Sequence, residues 1–318
     1  MFMVEFSHRL CNQCRVLSQT VTVYHHPDNI VRTYLQVKKE MNMEYQEAYR
    51  KLEAYGQLHV LKYFEELSSG EKEALLEQIE NTDFKVLEKC LHREELNPRG
   101  VITPIEVMQL AQIEKRREEF TQIGLDAIRA GKVGAVLLAG GMGTRLGSDA
   151  PKGVYNIGLT KEVFIFQRLV ENLLEVVRQA DAWIPLYVMT SDKNHEAPTS
   201  FFREKNYFGY DPDYVTFFMQ EMAPAADRNG KVYMEEKYKM STSPNGNGGW
   251  FLSMIKWGVA DKIKAAGVEW LNVFSVDNVL QRIADPCFVG ATIATDSAVG
   301  AKVVRKNAPD EKVGAMCL

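Results

Sequence analysis

Apolar and polar positions follow different rhythms along the chain, and each change of rhythm marks a boundary. Met1 to Val37 carries short apolar patches without a sustained period, with Thr20 to Tyr24 at most a short strand. From Glu44 to Leu91 the period is helical. Tyr45, Ala48, Tyr49, Leu52 and Tyr55 recur at three- and four-residue intervals before Gly56, and a turn-rich helix then carries Leu58, Leu61, Phe64 and Leu67. Ser68 and Glu71 stand as a capping box before Leu75, Leu76 and Ile79. Thr103, Pro104 and Glu106 predict the start of a further helix reaching Ile128, whose Lys115-Arg116-Arg117 run is flanked by Glu114, Glu118 and Glu119 and reads as a salt-bridged face.

Beyond that point strands and helices alternate, which predicts an α/β fold with a mostly parallel sheet behind an N-terminal helical region. Strands are expected at Val133 to Ala139, Ile184 to Met189, Tyr214 to Met219 and Trp270 to Val276, with helices at Val163 to Val177 and Trp250 to Ile263. Two last strands are expected at Ala301 to Arg305 and Val313 to Leu318. The implied division is residues 1–40 as an extension outside the fold, 41–130 as the helical region and 131–318 as an α/β domain incomplete at its C-terminus.

The first of these strands runs straight into Gly140-Gly141-Met142-Gly143-Thr144-Arg145-Leu146-Gly147, with Pro151-Lys152 shortly after. Gly140, Gly141 and Gly143 free the backbone for positive φ and for presenting bare N–H groups, the makings of an anion-binding concavity. Arg145 and Lys152 add positive charge beside it, as negative charge developing on a transferring phosphoryl group requires. The spacing is neither of two commoner phosphate loops. It lacks the last glycine of G-x-G-x-x-G, and Lys152 has no Ser or Thr behind it as a Walker loop needs.

Other chemistry falls where ligands of open α/β sheets bind, past the carboxyl ends of strands. Gln220 offers an amide that donates and accepts together, suiting a nucleobase edge or simply a polar loop. Asp277 can hold Mg²⁺ by one or two oxygens while phosphates complete the shell, or can close a turn. Ser243 to Gly249 is a second Gly-rich loop, either a connector or a set of amides at the positive end of the helix expected from Trp250.

L-x-x-G-G-x-G-T-R-L-G-x-x-x-P-K resembles the signature of sugar-nucleotide pyrophosphorylases, and Pro151 to Leu159 looks like the UDP-sugar pyrophosphorylase family, in particular its N-acetylglucosamine branch. The resemblance runs from about Tyr45 to the last residue. It implies a Rossmann-like sheet of the nucleotide-diphospho-sugar transferase type and a uridylyltransferase using UTP, a sugar 1-phosphate and Mg²⁺. It implies nucleotide contacts at Leu138, Ala139, Gly140, Gly141, Gly143, Thr144, Lys152, Gln220 and Gly246, a sugar contact at Asn247, catalytic roles for Arg145, Lys152 and Asp277, and the metal on Asp277. N-acetylglucosamine 1-phosphate is the favoured sugar; glucose 1-phosphate, or a truncated non-catalytic binder of UTP or UDP-sugar, is the alternative. The family also carries a further C-terminal portion that closes over the sugar, which this sequence lacks.

Composition narrows the partners. A net charge of −4 gives no reason to expect nucleic acid or an anionic membrane, and no apolar run of membrane-spanning length occurs. Five cysteines, scattered and odd in number, argue for a reducing, cytoplasmic setting. Cys11, Cys14, His25 and His26 invite a zinc reading, but adjacent histidines lack the spacing of a finger.

Overall fold

The computed structural model describes residues 2–5, 43–91, 101, 103, 105, 107–308 and 310–311. In chain order the elements are β1 (Phe2–Glu5), α1 (Tyr45–Ala54), α2 (Ser69–Asn81), α3 (Lys85–Leu91), α4 (Leu110–Lys115), α5 (Arg117–Arg129), β2 (Val133–Leu138), α6 (Ile165–Ala180), β3 (Leu186–Thr190), α7 (Glu196–Glu204) and β4 (Val215–Met219). There follow β5 (Met222–Pro224), β6 (Met234–Glu236), β7 (Lys239–Met240), β8 (Thr242–Pro244), α8 (Trp250–Lys256), α9 (Val259–Ala265), β9 (Trp270–Ser275), α10 (Pro286–Ala294) and β10 (Val299–Ala301). The described residues form two compact units, one drawn from Met1–Leu10, Arg99–Glu221 and Asn245–Leu318 and the other from Cys11–Pro98 and Met222–Pro244.

The first unit holds a six-stranded sheet in the order β10-β1-β9-β2-β3-β4. The strands β9, β2, β3 and β4 are parallel, and β1 pairs antiparallel with both β9 and β10. Both faces of β2 are covered, which is why it reads as unbroken apolar sequence. Val133, Ala135 and Leu137 pack with α6 residues such as Phe166 and Leu169, while Val136 and Leu138 pack with Met254, Val259 and Ile263 of α8 and α9. Each of the larger side chains among these, withdrawn from water, contributes about 1.5–3 kcal/mol.

The parallel strands fall, in order of sequence, as third, second, first and fourth. Chain direction across the sheet therefore reverses between β2 and β9, opening a crevice at their carboxyl ends. Residues following those two strands are neighbours by topology.

The second unit has its own core, in which Leu52, Phe64, Leu75, Ile79 and Phe84 meet Val232 and Met240. Gln57 fastens the later segment to the earlier one, donating to the Gly230 carbonyl (2.7 Å) and accepting from the Val232 N–H (3.0 Å). The expected cap of α2 is present, with the Ser68 N–H donating to the Glu71 carboxylate at 2.8 Å.

Several boundaries differ from expectation. Thr103, Ile105 and residues 107–109 are not helical; helix begins at Leu110 and breaks at Arg116, whose guanidinium turns to Glu119 while Arg117 pairs with Glu114. The helix expected through Ile263 is two helices, because Gly258 (φ 65°) takes the left-handed conformation between them. Leu58–Leu61 and Phe64–Glu66 are separate 3₁₀ turns. The strand expected at Ala301 to Arg305 lies at Val299–Ala301, and residues 302–305 are in no strand. Phe2–Glu5, read as outside the fold, is a sheet strand. The zinc reading at Cys11 to His26 and the strand at Val313 to Leu318 lie outside the described residues.

Candidate functional site

At the switch point the register pairs Leu138 with Ser275, and the Val276 N–H donates to the Leu138 carbonyl at 3.2 Å. The chain leaving β2 and the chain leaving β9 thus emerge side by side. Lys152 returns from the Gly-rich loop and pairs its ammonium with the Asp277 carboxylate. Asp277 also accepts from the Ser275 hydroxyl at 3.0 Å, and that hydroxyl accepts the Asp277 N–H at 3.2 Å. The hydrogen bond from Lys152, above all, holds the Asp277 carboxyl below its ordinary pKa; Ser275 and the nearby charges of Lys152 and Arg145 act in the same direction, against partial burial. Lys152, Arg145 and Asp277 therefore form one electrostatic group.

The loop keeps its shape through its own backbone. The Gly143 N–H donates to the Ala150 carbonyl (2.8 Å), the Lys152 N–H to that of Gly141 (3.2 Å), and Leu146 and Ser148 donate to that of Gly143 (2.7 and 3.2 Å). Among the described residues the N–H groups of Gly140, Gly141, Met142, Thr144 and Arg145 have no protein acceptor. Bare amides beside two cations suit an anion.

The glycines serve differently from the expectation of positive φ. Gly140, Gly141 and Gly143 all avoid that region, and within the loop it is Gly147 (φ 71°) that takes it. Space is what two of them supply. A Cβ on Gly140 would lie 2.9 Å from Gln220 Oε1, and one on Gly143 would lie 2.8 Å from the Ala150 carbonyl oxygen.

Gln220 thereby enters the same rim. Its N–H extends the β3–β4 ladder to the Thr190 carbonyl (2.8 Å), and its side chain, 6% exposed with its residue, lies across Gly140. Three strand spacings separate the strands bearing Gln220 and Asp277, roughly 14 Å. The rim is long enough for an extended ligand with a polar head at one end and an anionic tail at the other.

The profile of the UTP–glucose-1-phosphate uridylyltransferase family matches residues 82–318. The chain belongs to that family. It is 40% identical over 283 residues to UDP-N-acetylglucosamine diphosphorylase 2 of Arabidopsis thaliana, covering 83% of this chain and 56% of the relative. It is 35% identical over 278 residues to UDP-N-acetylglucosamine pyrophosphorylase of Saccharomyces cerevisiae, covering 81% and 58%. Among solved structures it resembles the uridine diphosphate N-acetylglucosamine pyrophosphorylase of Trypanosoma brucei, with a TM-score of 0.72 and 27% identity over 83% of this chain and 57% of that one. The chain spans a little over half the length of these relatives.

In this uridylyltransferase-family chain the remaining residues expected at the site divide into rim and support. Leu138 and Ala139 are buried, and their side chains belong to the two core faces. Thr144 and Arg145 are exposed on the loop. Gly246 (φ 79°) and exposed Asn247 open the second loop, which is joined to the rim where the Asn245 N–H donates to the Glu221 carbonyl at 3.1 Å. The helix behind that loop, α8, has seven residues, so its dipole is weaker than the longer helix read from the sequence.

The structure adds Asn194, which sequence reasoning passed over. Buried at 3% exposure, it accepts from the Ser191 N–H (2.8 Å) and donates to the Gly140 carbonyl (3.3 Å). Its signal was an Asn three residues after a Ser at a strand's carboxyl end, a local turn pattern. Cavities of about 410 Å³ beside Phe164, Lys205 and Phe208, and about 270 Å³ beside Lys132 and Trp270, include none of these rim residues. The site is recognised by its convergent chemistry, not by depth.

Proposed function

We propose that the chain is the nucleotide-binding part of a uridylyltransferase that makes a UDP-sugar and pyrophosphate from UTP and a sugar 1-phosphate. A phosphate oxygen of the sugar 1-phosphate bonds to the α-phosphorus of UTP, the bond from that phosphorus to the bridging oxygen of the β-phosphate breaks, and pyrophosphate leaves with the electron pair. No protein nucleophile or base is required, since the attacking phosphate is already ionised near neutrality. The protein supplies position and charge.

One observation carries this reading: Lys152, Arg145 and Asp277 gather beside loop amides that have no acceptor among the described residues, at the sheet's switch point. Arg145 and the amides hold the departing β- and γ-phosphates, Lys152 lies between the phosphates of the two substrates, and Gln220 meets the uracil edge. Gly246 approaches the base and Asn247 the sugar. The identity to UDP-N-acetylglucosamine diphosphorylase 2 and its relatives favours N-acetylglucosamine 1-phosphate.

Among the described residues no group of three His, Cys, Asp or Glu side chains could cage a metal. Asp277 with the Ser275 hydroxyl nevertheless fits Mg²⁺, which is usually held by one or two carboxylates with substrate phosphates completing its shell. Bound there, Mg²⁺ would neutralise phosphate charge. The proposed setting is the cytoplasm, in keeping with the odd, scattered cysteines; among the described residues no helix is long and apolar enough to cross a membrane.

The test is Mg²⁺-dependent pyrophosphate release from UTP with N-acetylglucosamine 1-phosphate and with glucose 1-phosphate, on this chain and on one extended to the length of its relatives. Release with the first sugar supports the proposal. UTP binding without release from either chain would leave a nucleotide-binding protein, and binding of a nicotinamide cofactor instead of UTP would refute the reading.

A further inference from the structure

A second set of contacts at the same rim uses groups to which the proposed chemistry gives no role. Ser253, in α8, is fully buried. Its hydroxyl donates to the Gly249 carbonyl at 2.9 Å, an ordinary bond to the preceding turn of a helix. The same oxygen accepts the Glu221 N–H at 3.0 Å. Glu221 in turn accepts the Asn245 N–H on its carbonyl and the Lys256 ammonium on its carboxylate. The exit of β4 is thus fastened through both backbone groups of one residue, its N–H to α8 and its carbonyl to the loop that carries Gly246 and Asn247.

The residue just before it reaches the other Gly-rich loop, since the Gln220 side chain lies across Gly140. Gln220 and Glu221 together therefore span the two loops, the first through a side chain and the second through the backbone. Ser253 supplies the acceptor for the buried end of that span. Without it the Glu221 N–H would have no partner, an arrangement native structures avoid by moving the chain.

We infer that Ser253 is a positioning residue that keeps the 245–249 loop in register with Gln220, so that both meet the nucleoside end of the same nucleotide. The inference rests on the nucleotide reading above. It separates the rim into a nucleoside half, governed by Ser253, and a phosphate half around Lys152 and Asp277, which Ser253 does not touch.

The experiment measures binding of UTP, uridine and inorganic pyrophosphate to the full chain by calorimetry, together with melting temperature, for the parent, Ser253→Ala and Ser253→Thr. For Ser253→Ala we expect UTP and uridine to bind about tenfold more weakly while pyrophosphate affinity is unchanged. Ser253→Thr, which keeps the hydroxyl, is expected to recover most of the uridine affinity. A lower melting temperature with all three affinities unaltered, or lowered alike, would overturn the inference. Should Ser253→Ala fail to fold, hydrogen exchange on the parent decides: UTP slowing exchange over 138–144 and 245–253 together supports the inference, and protection confined to 138–144 overturns it. A parent chain that binds no UTP would overturn the functional reading and this inference together, whereas a UTP-binding parent with an unaffected Ser253→Ala overturns the inference alone.

Discussion

Lys152 and Asp277, 125 residues apart in sequence, form an ion pair at the point where the sheet reverses direction. Lys152 is the sheltered partner, with its side chain 12% exposed, whereas the Asp277 side chain is 57% exposed. Each neutralises the other in the free protein, and a magnesium-bound triphosphate would bring a cation for one and an anion for the other.

The pair therefore matters to turnover more than to stability. Lys152→Met is predicted to lower pyrophosphate release about 10²- to 10³-fold, the range for losing one preorganised charge at a transition state. Its melting temperature should stay near that of the parent, because the Asp277 carboxylate left behind is 57% exposed and water solvates it in place of the lysine. Full turnover in a Lys152→Met chain extended to the length of its relatives would refute the role given to Lys152.

Acid should disclose the same contact. Asp277 has a folded pKa below its unfolded value, so its stabilisation is fully present above the unfolded value and is lost as pH falls through the folded one. Ionisation of Asp277 is thus predicted to be complete throughout pH 5–8, and UTP affinity should show no titration from this group there. Carboxyl chemical shifts compared between the parent and Asp277→Asn check the assignment, and a midpoint above the ordinary aspartate value of about 3.9 would contradict it.

Gly140 and Gln220 should behave as a coupled pair. Gly140→Ala places a methyl 2.9 Å from Gln220 Oε1, which must turn away, and UTP binding is predicted to weaken about tenfold. In a Gln220→Ala background the added methyl has room, so the second substitution should cost far less than the first alone. Strict additivity in calorimetry would show that the two residues act independently.

Stability should be governed by the core under α6. Phe166, fully buried against Phe202, is predicted to cost about 3–5 kcal/mol when changed to Ala, read as a fall in denaturation midpoint at unchanged slope. A loss below about 1 kcal/mol would mean that the cavity closes by repacking.

Elements with a strong period are legible in the order of residues alone. The unbroken apolar run of β2, the stripe of α6 and the cap at Ser68 lie where the pattern places them, because burial on both faces, on one stripe, or at a helix start leaves a local mark. The break at Gly258 and the late start at Leu110 are not legible, since turn residues allow a bend without requiring one. Nor is β1, whose partners β9 and β10 lie at the other end of the chain.

The amino-acid sequence by itself determined the chemical inventory of the rim: a glycine loop with two cations, an amide and a carboxylate, all in segments that follow the carboxyl ends of strands. Tertiary structure alone decided which of them touch. The strand order brought Asp277 to Lys152, and the missing side chain of Gly140 made room for Gln220; Gly140 and Gly143 supply space, and left-handed backbone falls to Gly147. The reason is physical: which groups a segment can offer is a local property, whereas which of them meet follows from how sheet pairing and core packing join distant segments.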